Sequence, residues 1–320
     1  MHKNKTIVVV IPAYNEANHI AGVIAKIPKE VEQIIVVDDC SEDNTSEVVL
    51  GVQDERVKLI KHERNMGVGG AMITGYKESL RTGVDIVVKI DGDGQMNAEE
   101  ISKVVAPIEN DWSDYCKGFR FHDPRNLKQM PKVRLIGNIA LSFFTKITSG
   151  YWNIFDPTSG FTAIHKTALS CIDLDILDKG YFFETDMLMQ LNRMNAVVYD
   201  VEISNRYGNE QSGLNPLHIS ATFPGLLLKA FAKRILWSYF IRDFTVASLF
   251  IITGLPLFLF GIGFGLYHWI KNVMADVDTP TGTVMIAVVT LFFGFQFLLQ
   301  AIVLDINNVP KTPLQTRLKA

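Results

Sequence analysis

The sequence predicts an α/β fold, a mostly parallel sheet with helices on both faces, followed by two helices long enough to cross a bilayer. Three observations carry this. Short β-branched runs alternate with helical patterns early in the chain, and continuous apolar strands of this kind are covered on both faces and paired in parallel. Acidic residues follow several of these runs. Two later stretches, 244–270 and 283–304, contain no Asp, Glu, Lys or Arg, and each exceeds the ~20 residues that a hydrocarbon core requires.

The strands come first. Thr6 to Ile11 is closed by Pro12, and Val31–Val37, Arg56–Ile60 and Val84–Ile90 follow. Helical patterns cover about 17–27, 43–50, 67–81 and 97–109. Ligands bind beyond the carboxyl ends of strands in such sheets. Asn15-Glu16, Asp38-Asp39 and Asp91-Asp93 all fall at such ends.

Bulk composition excludes several classes. The 320 residues carry a net charge of -3, so no basic field points to nucleic acid. Cys40, Cys116 and Cys171 are odd in number and far apart, which argues against a disulfide framework or a zinc site. Hydrophobic residues make up 48% and mean hydropathy is +0.16, high for a soluble enzyme. The N-terminus runs straight into a strand without the apolar core of a signal peptide.

The apolarity is concentrated late. Lys229, Lys233, Arg234 and Arg242 precede the first span; Lys311, Arg317 and Lys319 follow the second; the short loop between holds Lys271, Asp276 and Asp278. The positive-inside rule then places both termini and the N-terminal domain in the cytoplasm. Pro256 bends the first span. Ile219, Phe223, Leu226, Leu227, Ala230, Phe231, Ile235 and Tyr239 recur at near-helical spacing, as in an amphipathic segment on the inner leaflet or an ordinary packed helix. The expected organisation is a domain at 1–215, juxtamembrane helices at 216–243, a transmembrane hairpin at 244–306 and a cytoplasmic tail at 307–320. Short hairpins of this kind often associate, so a homo-oligomer is allowed.

Asp91-Gly92-Asp93-Gly94-Gln95 carries the most chemistry. It follows an apolar run and offers two carboxylates at i and i+2 to one hard cation. Mg²⁺ or Mn²⁺ held by one or two carboxylates plus substrate phosphates is the expected partner; a plain Asp-Gly turn with solvated acids has the same pattern. Three further segments accompany it: Pro12-Ala13-Tyr14-Asn15-Glu16-Ala17, Val36-Val37-Asp38-Asp39-Cys40-Ser41 and Asn65-Met66-Gly67-Val68-Gly69-Gly70-Ala71.

These four, in this order, resemble the family 2 inverting glycosyltransferases of the Rossmann-like GT-A fold, over about the first 210 residues. Asp156-Pro157-Thr158-Ser159-Gly160-Phe161, with Arg134, Asn138 and the C-terminal spans, resembles the polyprenyl-phosphate glycosyltransferases of the dolichol-phosphate-mannose-synthase-like group. The resemblance implies transfer of a hexose from a UDP- or GDP-sugar to undecaprenyl or dolichyl phosphate at the cytoplasmic face of the bilayer. Asp91 and Asp93 would hold the metal, with Gln95 in support. Asp39 would read the base, Asp38 would support its turn, and Pro12, Ala13, Tyr14, Asn15 and Glu16 would line the base and ribose pocket. Gly67 and Gly70 open a helix and would lie near the phosphates, or form a helix cap without a ligand; Met72 stands where a dinucleotide fingerprint needs its last glycine.

An acceptor monophosphate is already largely ionised, with a second pKa near 6, and needs cations more than a general base. Arg134 and Arg206 are the leading candidates, with Arg120 and Lys132 beside them and Arg125 and Lys128 as solvated alternatives. Asp93, Glu184 and Asp186 are the candidate catalytic carboxylates; Glu184 and Asp186 stand in Phe183-Glu184-Thr185-Asp186, where relatives keep an acidic motif. They would act here as a base, as orienters of the acceptor, or as helix N-terminal acids. After Arg206 the chain reads Tyr207-Gly208-Asn209-Glu210-Gln211 and departs from the family's Arg-x-x-Gly-x-Ser-Lys. The rival readings are a processive polysaccharide synthase, whose Gln-x-x-Arg-Trp motif Gln190–Met194 imitates without the tryptophan, and a non-catalytic membrane-anchored nucleotide-sugar-binding protein.

Overall fold

The structure is a computed structural model that describes residues 5–120, 132–157, 159–204 and 216–318; the side chains of 132–136, 138 and 216–222 lie outside this description. The chain divides into two compact units, Met1–Phe231 with Pro310–Ala320, and Ala232–Val309.

The first unit is built on seven strands: β1 (Ile7–Ala13), β2 (Gln33–Asp38), β3 (Val57–Lys61), β4 (Ile86–Lys89), β5 (Tyr115–Phe119), β6 (Thr162–His165) and β7 (Val198–Glu202), in the order β3-β2-β1-β4-β6-β5-β7. The β1–β2, β1–β4, β2–β3 and β5–β7 pairings are parallel, and β6 runs antiparallel between β4 and β5. The sheet is therefore mostly parallel, as the alternating runs predict. The helices α1 (Ile20–Ala25), α2 (Thr45–Leu50), α3 (Gly67–Thr82) and α4 (Ile101–Glu109) fall where the helical patterns do. Later come α5 (Lys132–Ser149), α6 (Lys166–Ser170) and α7 (Phe183–Arg193).

Alternation assigns the faces. Val9, Ile11, Ile34, Val36, Val88 and Ala163 share a core with Ile20, Ile24, Val49, Val104 and Ile108, so α1, α2 and α4 cover that side. On the other side α3 lies so close to β1 that a Cβ at Gly75 would sit 2.2 Å from Val10 Cγ1. Pro12, within a central strand, costs no ladder bond. The Val10 carbonyl accepts from Ile90 N–H at 3.1 Å on the β4 side; Pro12, two residues on, faces that same side beyond the end of β4.

A long helix, α8 (Pro216–Leu236), follows β7. Leu227 and Ala230 pack with Phe182, Met189, Leu141 and Phe223 in the first unit, while Leu228 stays exposed. The helix is amphipathic, and its apolar face is partly covered by protein.

The second unit is a helical hairpin. A π turn at Trp237–Ile241 leads to α9 (Val246–Met274) and α10 (Thr281–Asn307), both with a mean hydropathy of 2.2 over their most apolar window. These are two candidate spans by length and composition, starting within two residues of the sequence expectation. The backbones approach closely: Cβ atoms at Gly261 and Gly294 would meet Leu291 N at 2.6 Å and Phe258 N at 2.4 Å, the small-residue packing of membrane helices. Buried Arg234 forks onto Asp305 at 2.8 and 3.0 Å, and the Tyr239 hydroxyl donates to the same carboxylate. A planar fork matched to a carboxylate keeps both charges satisfied out of water.

The segment after the hairpin rejoins the first unit. A short helix, α11 (Leu314–Arg317), presents the Leu314 and Gln315 N–H groups to the fully buried Asp114 carboxylate at 2.8 and 3.1 Å, and Val197 N–H donates to it at 2.8 Å. The Gln315 amide donates to the Ile108 and Ser113 carbonyls and its oxygen accepts from Lys5. Expected as a cytoplasmic tail, this segment is part of the domain's packing. An Asp114→Ala substitution strands three buried N–H groups, each costing about 1–3 kcal/mol, and should lower stability by at least ~3 kcal/mol. Thermal unfolding of the detergent-purified protein checks this, and an unchanged Tm would refute the clasp.

Candidate active site

Three adjacent parallel strands, β2, β1 and β4, end side by side, and the expected acidic segments hang from those ends. Their turns use left-handed residues: Asn15 at φ 58°, Cys40 at φ 64° and Gly94 at φ 75°. The first two turns are wired together. Asn15 N–H donates to Ser41 Oγ at 3.0 Å, Glu42 N–H to Asn15 Oδ1 at 2.8 Å and Glu16 N–H to Thr45 Oγ1 at 2.8 Å. Ala13 C=O accepts from Asp39 N–H at 2.9 Å. Tyr14 keeps an exposed ring (44%) beside this bridge.

The paired aspartates at the β2 end are structural groups as well as candidates. Asp38 is buried; its Oδ1 accepts from Ser41 N–H at 2.9 Å and its Oδ2 from Ser46 Oγ. Burial pushes its carboxyl pKa up, but the Ser41 and Ser46 hydrogen bonds outweigh that and hold it low. Asp39 accepts from His62 Nδ1 at 2.7 Å, Met66 N–H at 2.8 Å and Gly67 N–H at 2.7 Å. A carboxylate has about four acceptor sites, so Asp39 keeps about one for a base.

The glycine run is occupied by protein. Gly70 N–H donates to Lys179 C=O at 3.2 Å, and a Cβ on Gly69 would lie 2.3 Å from the Asp178 carbonyl. The Asp178–Gly180 loop therefore fills the space expected for phosphates. Asp186 holds that loop by accepting from Asp178 N–H at 3.0 Å, with Gln190 Nε2 at 3.3 Å from its other oxygen.

At the β4 end, Lys89 is 2% exposed. Its ammonium lies 2.7 Å from Glu184 Oε1 and 3.0 Å from Asp91 Oδ1. Glu184 is thus an ion-pair partner first. Asp91 Oδ1 is a buried acceptor with no hydrogen bond; the Lys89 contact meets the ion-pair distance without hydrogen-bond geometry. Asp93 accepts from Gln95 N–H at 3.0 Å, closing the turn. Among the described residues no group of three or more His, Cys, Asp or Glu converges on one point. Two carboxylates in one turn, Asp91 and Asp93, fit a cation that draws its remaining ligands from substrate phosphates.

On the acceptor side, Arg120 forks onto the buried Asp156, Nε to Oδ2 at 2.6 Å and Nη2 to Oδ1 at 2.9 Å. Lys132 and Arg134 fall on α5 with their side chains outside the described residues, and Arg206, Arg125 and Lys128 lie outside them altogether. Asp156 holds Arg120, and Gly160 lies against Asp91, where a Cβ would lie 2.5 Å from Asp91 Oδ2 and 2.8 Å from Lys89 Nζ.

The sequence reading missed Lys89, Lys117 and Asp200. Lys89, Thr162, Lys117 and Asp200 are consecutive register partners across β4, β6, β5 and β7, one polar row within the sheet. Burial lowers the Lys117 pKa to about 8 and raises that of Asp200 to about 6. The available signal was a lysine inside each of two otherwise strand-like runs, Ile86–Ile90 and Tyr115–Phe119.

Residues 8–173 match the profile of Glycosyl transferase family 2. The chain belongs to glycosyltransferase family 2. Among family members, the UDP-N-acetylglucosamine–dolichyl-phosphate N-acetylglucosaminyltransferase of Methanococcus voltae is 36% identical over 219 residues, 64% of this chain and 87% of that one. The undecaprenyl-phosphate mannosyltransferase of Micrococcus luteus is 28% identical over 203 residues, covering 62% and 82%. The polyprenol monophosphomannose synthase of Mycolicibacterium smegmatis is 29% identical over 202 residues, covering 61% and 76%. Glucosyl-3-phosphoglycerate synthase of Mycobacterium tuberculosis, solved with Mn²⁺, UDP and phosphoglyceric acid, superposes with a TM-score of 0.54 at 20% identity, over 72% of this chain and 78% of that one. The shared fold is GT-A.

A Gly160→Ala substitution should drive the Asp91 carboxylate aside and lower turnover by about 10²-fold, the cost of misplacing a site group by about an ångström. Sugar transfer measured beside a melting curve checks this. Full activity would show that the Gly160–Asp91 approach is incidental.

Proposed function

We propose that this chain is an inverting, metal-dependent transferase that moves one hexose from a UDP- or GDP-sugar to a polyprenyl phosphate, undecaprenyl or dolichyl, on the cytoplasmic face of the membrane. The observation that carries the proposal is the pair of carboxylates in the turn after β4, Asp91 held by the buried Lys89 at 3.0 Å and Asp93 by Gln95 N–H. It stands on the edge that also holds Tyr14 and Asp39, in a chain with two candidate spans.

Each group has a part. Tyr14 offers a flat face to the nucleobase, and the remaining acceptor of Asp39 takes its N–H. The Asn15–Ser41 and Glu16–Thr45 bonds keep that pocket rigid. Asp91 and Asp93, with Gln95 beside them, would hold Mg²⁺ or Mn²⁺, which supplies electrophilic charge where the nucleoside diphosphate leaves. A phosphate oxygen of the acceptor attacks the anomeric carbon on the face opposite the leaving group. The C1–O bond to the β-phosphate breaks as the new C1–O bond forms, and the configuration inverts. The attacking oxygen carries charge already, so no side chain must remove a proton. This agrees with Glu184 being held by Lys89 and Asp186 by the 178–180 loop. Arg120, oriented by Asp156, leads the described cations for the acceptor phosphate, with Arg134, Arg206 and Lys132 assigned to the same task from sequence. The relatives named for dolichyl-phosphate, undecaprenyl-phosphate and polyprenol substrates support this acceptor class.

The topology reading has support from the tail. Pro310–Ala320 belongs to the same compact unit as the sheet, so the chain between must cross an even number of times. A cysteine placed at Asp278 should be labelled by an impermeant maleimide from outside intact cells or spheroplasts, whereas the exposed Cys171 should react only after permeabilisation. Labelling of Cys171 in intact cells would reverse the orientation.

The activity is tested by offering purified protein labelled UDP- and GDP-sugars with undecaprenyl or dolichyl phosphate, with and without EDTA. Lipid-linked product should form with at least one pair and stop on chelation. Asp93→Asn should lower turnover by at least about 10²-fold with the Tm unchanged. No product with any pair would refute the reading, and EDTA-resistant activity would remove the metal.

A further inference from the structure

The interior row at the β4–β7 end contains a lysine that the proposed chemistry does not use. Lys117 is fully buried. Its ammonium donates to the Ser159 carbonyl at 2.8 Å and lies 5.9 Å from the Tyr115 ring centroid. Among the described residues it forms no ion pair within 4 Å. An ammonium buried on a neutral carbonyl is costly, and a methionine would fill the same space without that cost.

What the contact secures is Ser159, with Asp156 before it and Gly160 after it. Ser159 N–H donates back to Asp156 C=O at 3.3 Å, and Gly118 N–H, next to Lys117, donates to Phe161 C=O at 2.8 Å. Asp156 orients Arg120, and Gly160 packs on the Asp91 carboxylate. We propose that Lys117 is a positioning residue for sugar transfer, one that in its charged form pins the Ser159 carbonyl and so sets Arg120 and Asp91 at their working separation. This rests on the transferase reading given above.

The charge requirement has a direct signature. The groups facing Lys117 are Glu184 on α7, Asp156 before Ser159, Asp200 on β7 and Lys89 on β4, with Tyr115 on its own strand. Burial dominates over the three carboxylates and holds the lysine pKa at about 8. The neutral amine still donates to the carbonyl, but without charge assistance the pin weakens as pH rises through about 8. The effect on stability has the opposite sign. The unfolded lysine titrates near 10.4, so between about 8 and 10.4 the unfolded chain binds more protons. This group's contribution to stability then rises with pH. Loss of activity above pH 8 without loss of Tm separates the pin from unfolding.

The test is the pH dependence of kcat/KM for polyprenyl phosphate, with Tm measured across the same range, in wild type, Lys117→Met and Asp200→Asn. Wild type should show a basic limb near pH 8. Lys117→Met should lose that limb and about 10²-fold in kcat. Asp200→Asn should move the limb to lower pH, because a carboxylate that favours the charged lysine is gone. A wild-type profile flat between pH 7 and 9.5, a limb retained in Lys117→Met, or a limb unmoved in Asp200→Asn would each overturn the proposal. Should Lys117→Met fail to fold, the wild-type and Asp200→Asn profiles decide. An active wild type with none of these features overturns the positioning role alone, whereas a wild type inactive with every donor and acceptor overturns the transferase reading as well.

Discussion

The site depends on keeping ammonium groups dry inside a sheet. Across the rungs from β2 to β7 the paired residues are Ile35, Val10, Lys89, Thr162, Lys117 and Asp200. The row is apolar as far as β1 and polar from β4 onward. A buried ammonium is tolerated only with compensating partners, and those partners are Glu184 and Asp91 around Lys89, and the Ser159 carbonyl around Lys117. Satisfying the lysines thus arranges the acids and the residues beside Ser159 that a diphosphate-leaving reaction would use. The charges are tied to one another before any substrate arrives, which limits the reorganisation needed at the moment of reaction.

This constraint bears on which carboxylates can do chemistry. Glu184 has a lysine at 2.7 Å, Asp156 an arginine fork, and Asp186 a backbone amide and a glutamine. Asp91 shares the lysine of Glu184, at 3.0 Å. An acid held charged by a cation or an amide is a poorer proton acceptor. The distribution favours an acceptor that arrives already ionised.

Much of this was legible in the sequence, and the rest was hidden for a definite reason. The β1, β2 and β4 runs, the acids at their ends and the two spans all follow from apolar periodicity and length, and appear within a few residues of where they were expected. Strands β5, β6 and β7 were not seen. Tyr115-Cys116-Lys117-Gly118-Phe119 and Val198-Tyr199-Asp200-Val201-Glu202 carry charges that pattern reading takes as a mark of solvent, yet Lys117 is buried. The glycines at 67–70 signalled close approach correctly, but the approaching group is the Asp178–Gly180 backbone, over a hundred residues away, which no local rule names. Asp39 was expected to read a base; that it also holds positions 62, 66 and 67 becomes visible only once β3 and α3 are in place.

The clasp on Asp114 adds a constraint that links fold to membrane. Asp114 precedes β5, which runs parallel to β1 and β4 because β6 reverses direction twice between them. The docking of α11 therefore falls at the amino edge of the sheet, with Lys5, while the candidate site lies at the carboxyl edge, about four to five residues away at 3.3 Å each. The segment after the hairpin thus ends in a structural contact at the amino edge. It also ties the number of crossings to the integrity of the domain. A chain with an odd number of spans would carry Leu314 and Gln315 to the far side of the bilayer, and the fully buried Asp114 would face Val197 N–H without its other two donors. Span number and folding would thereby be coupled, since only an even number of crossings returns the Leu314 and Gln315 N–H groups to Asp114.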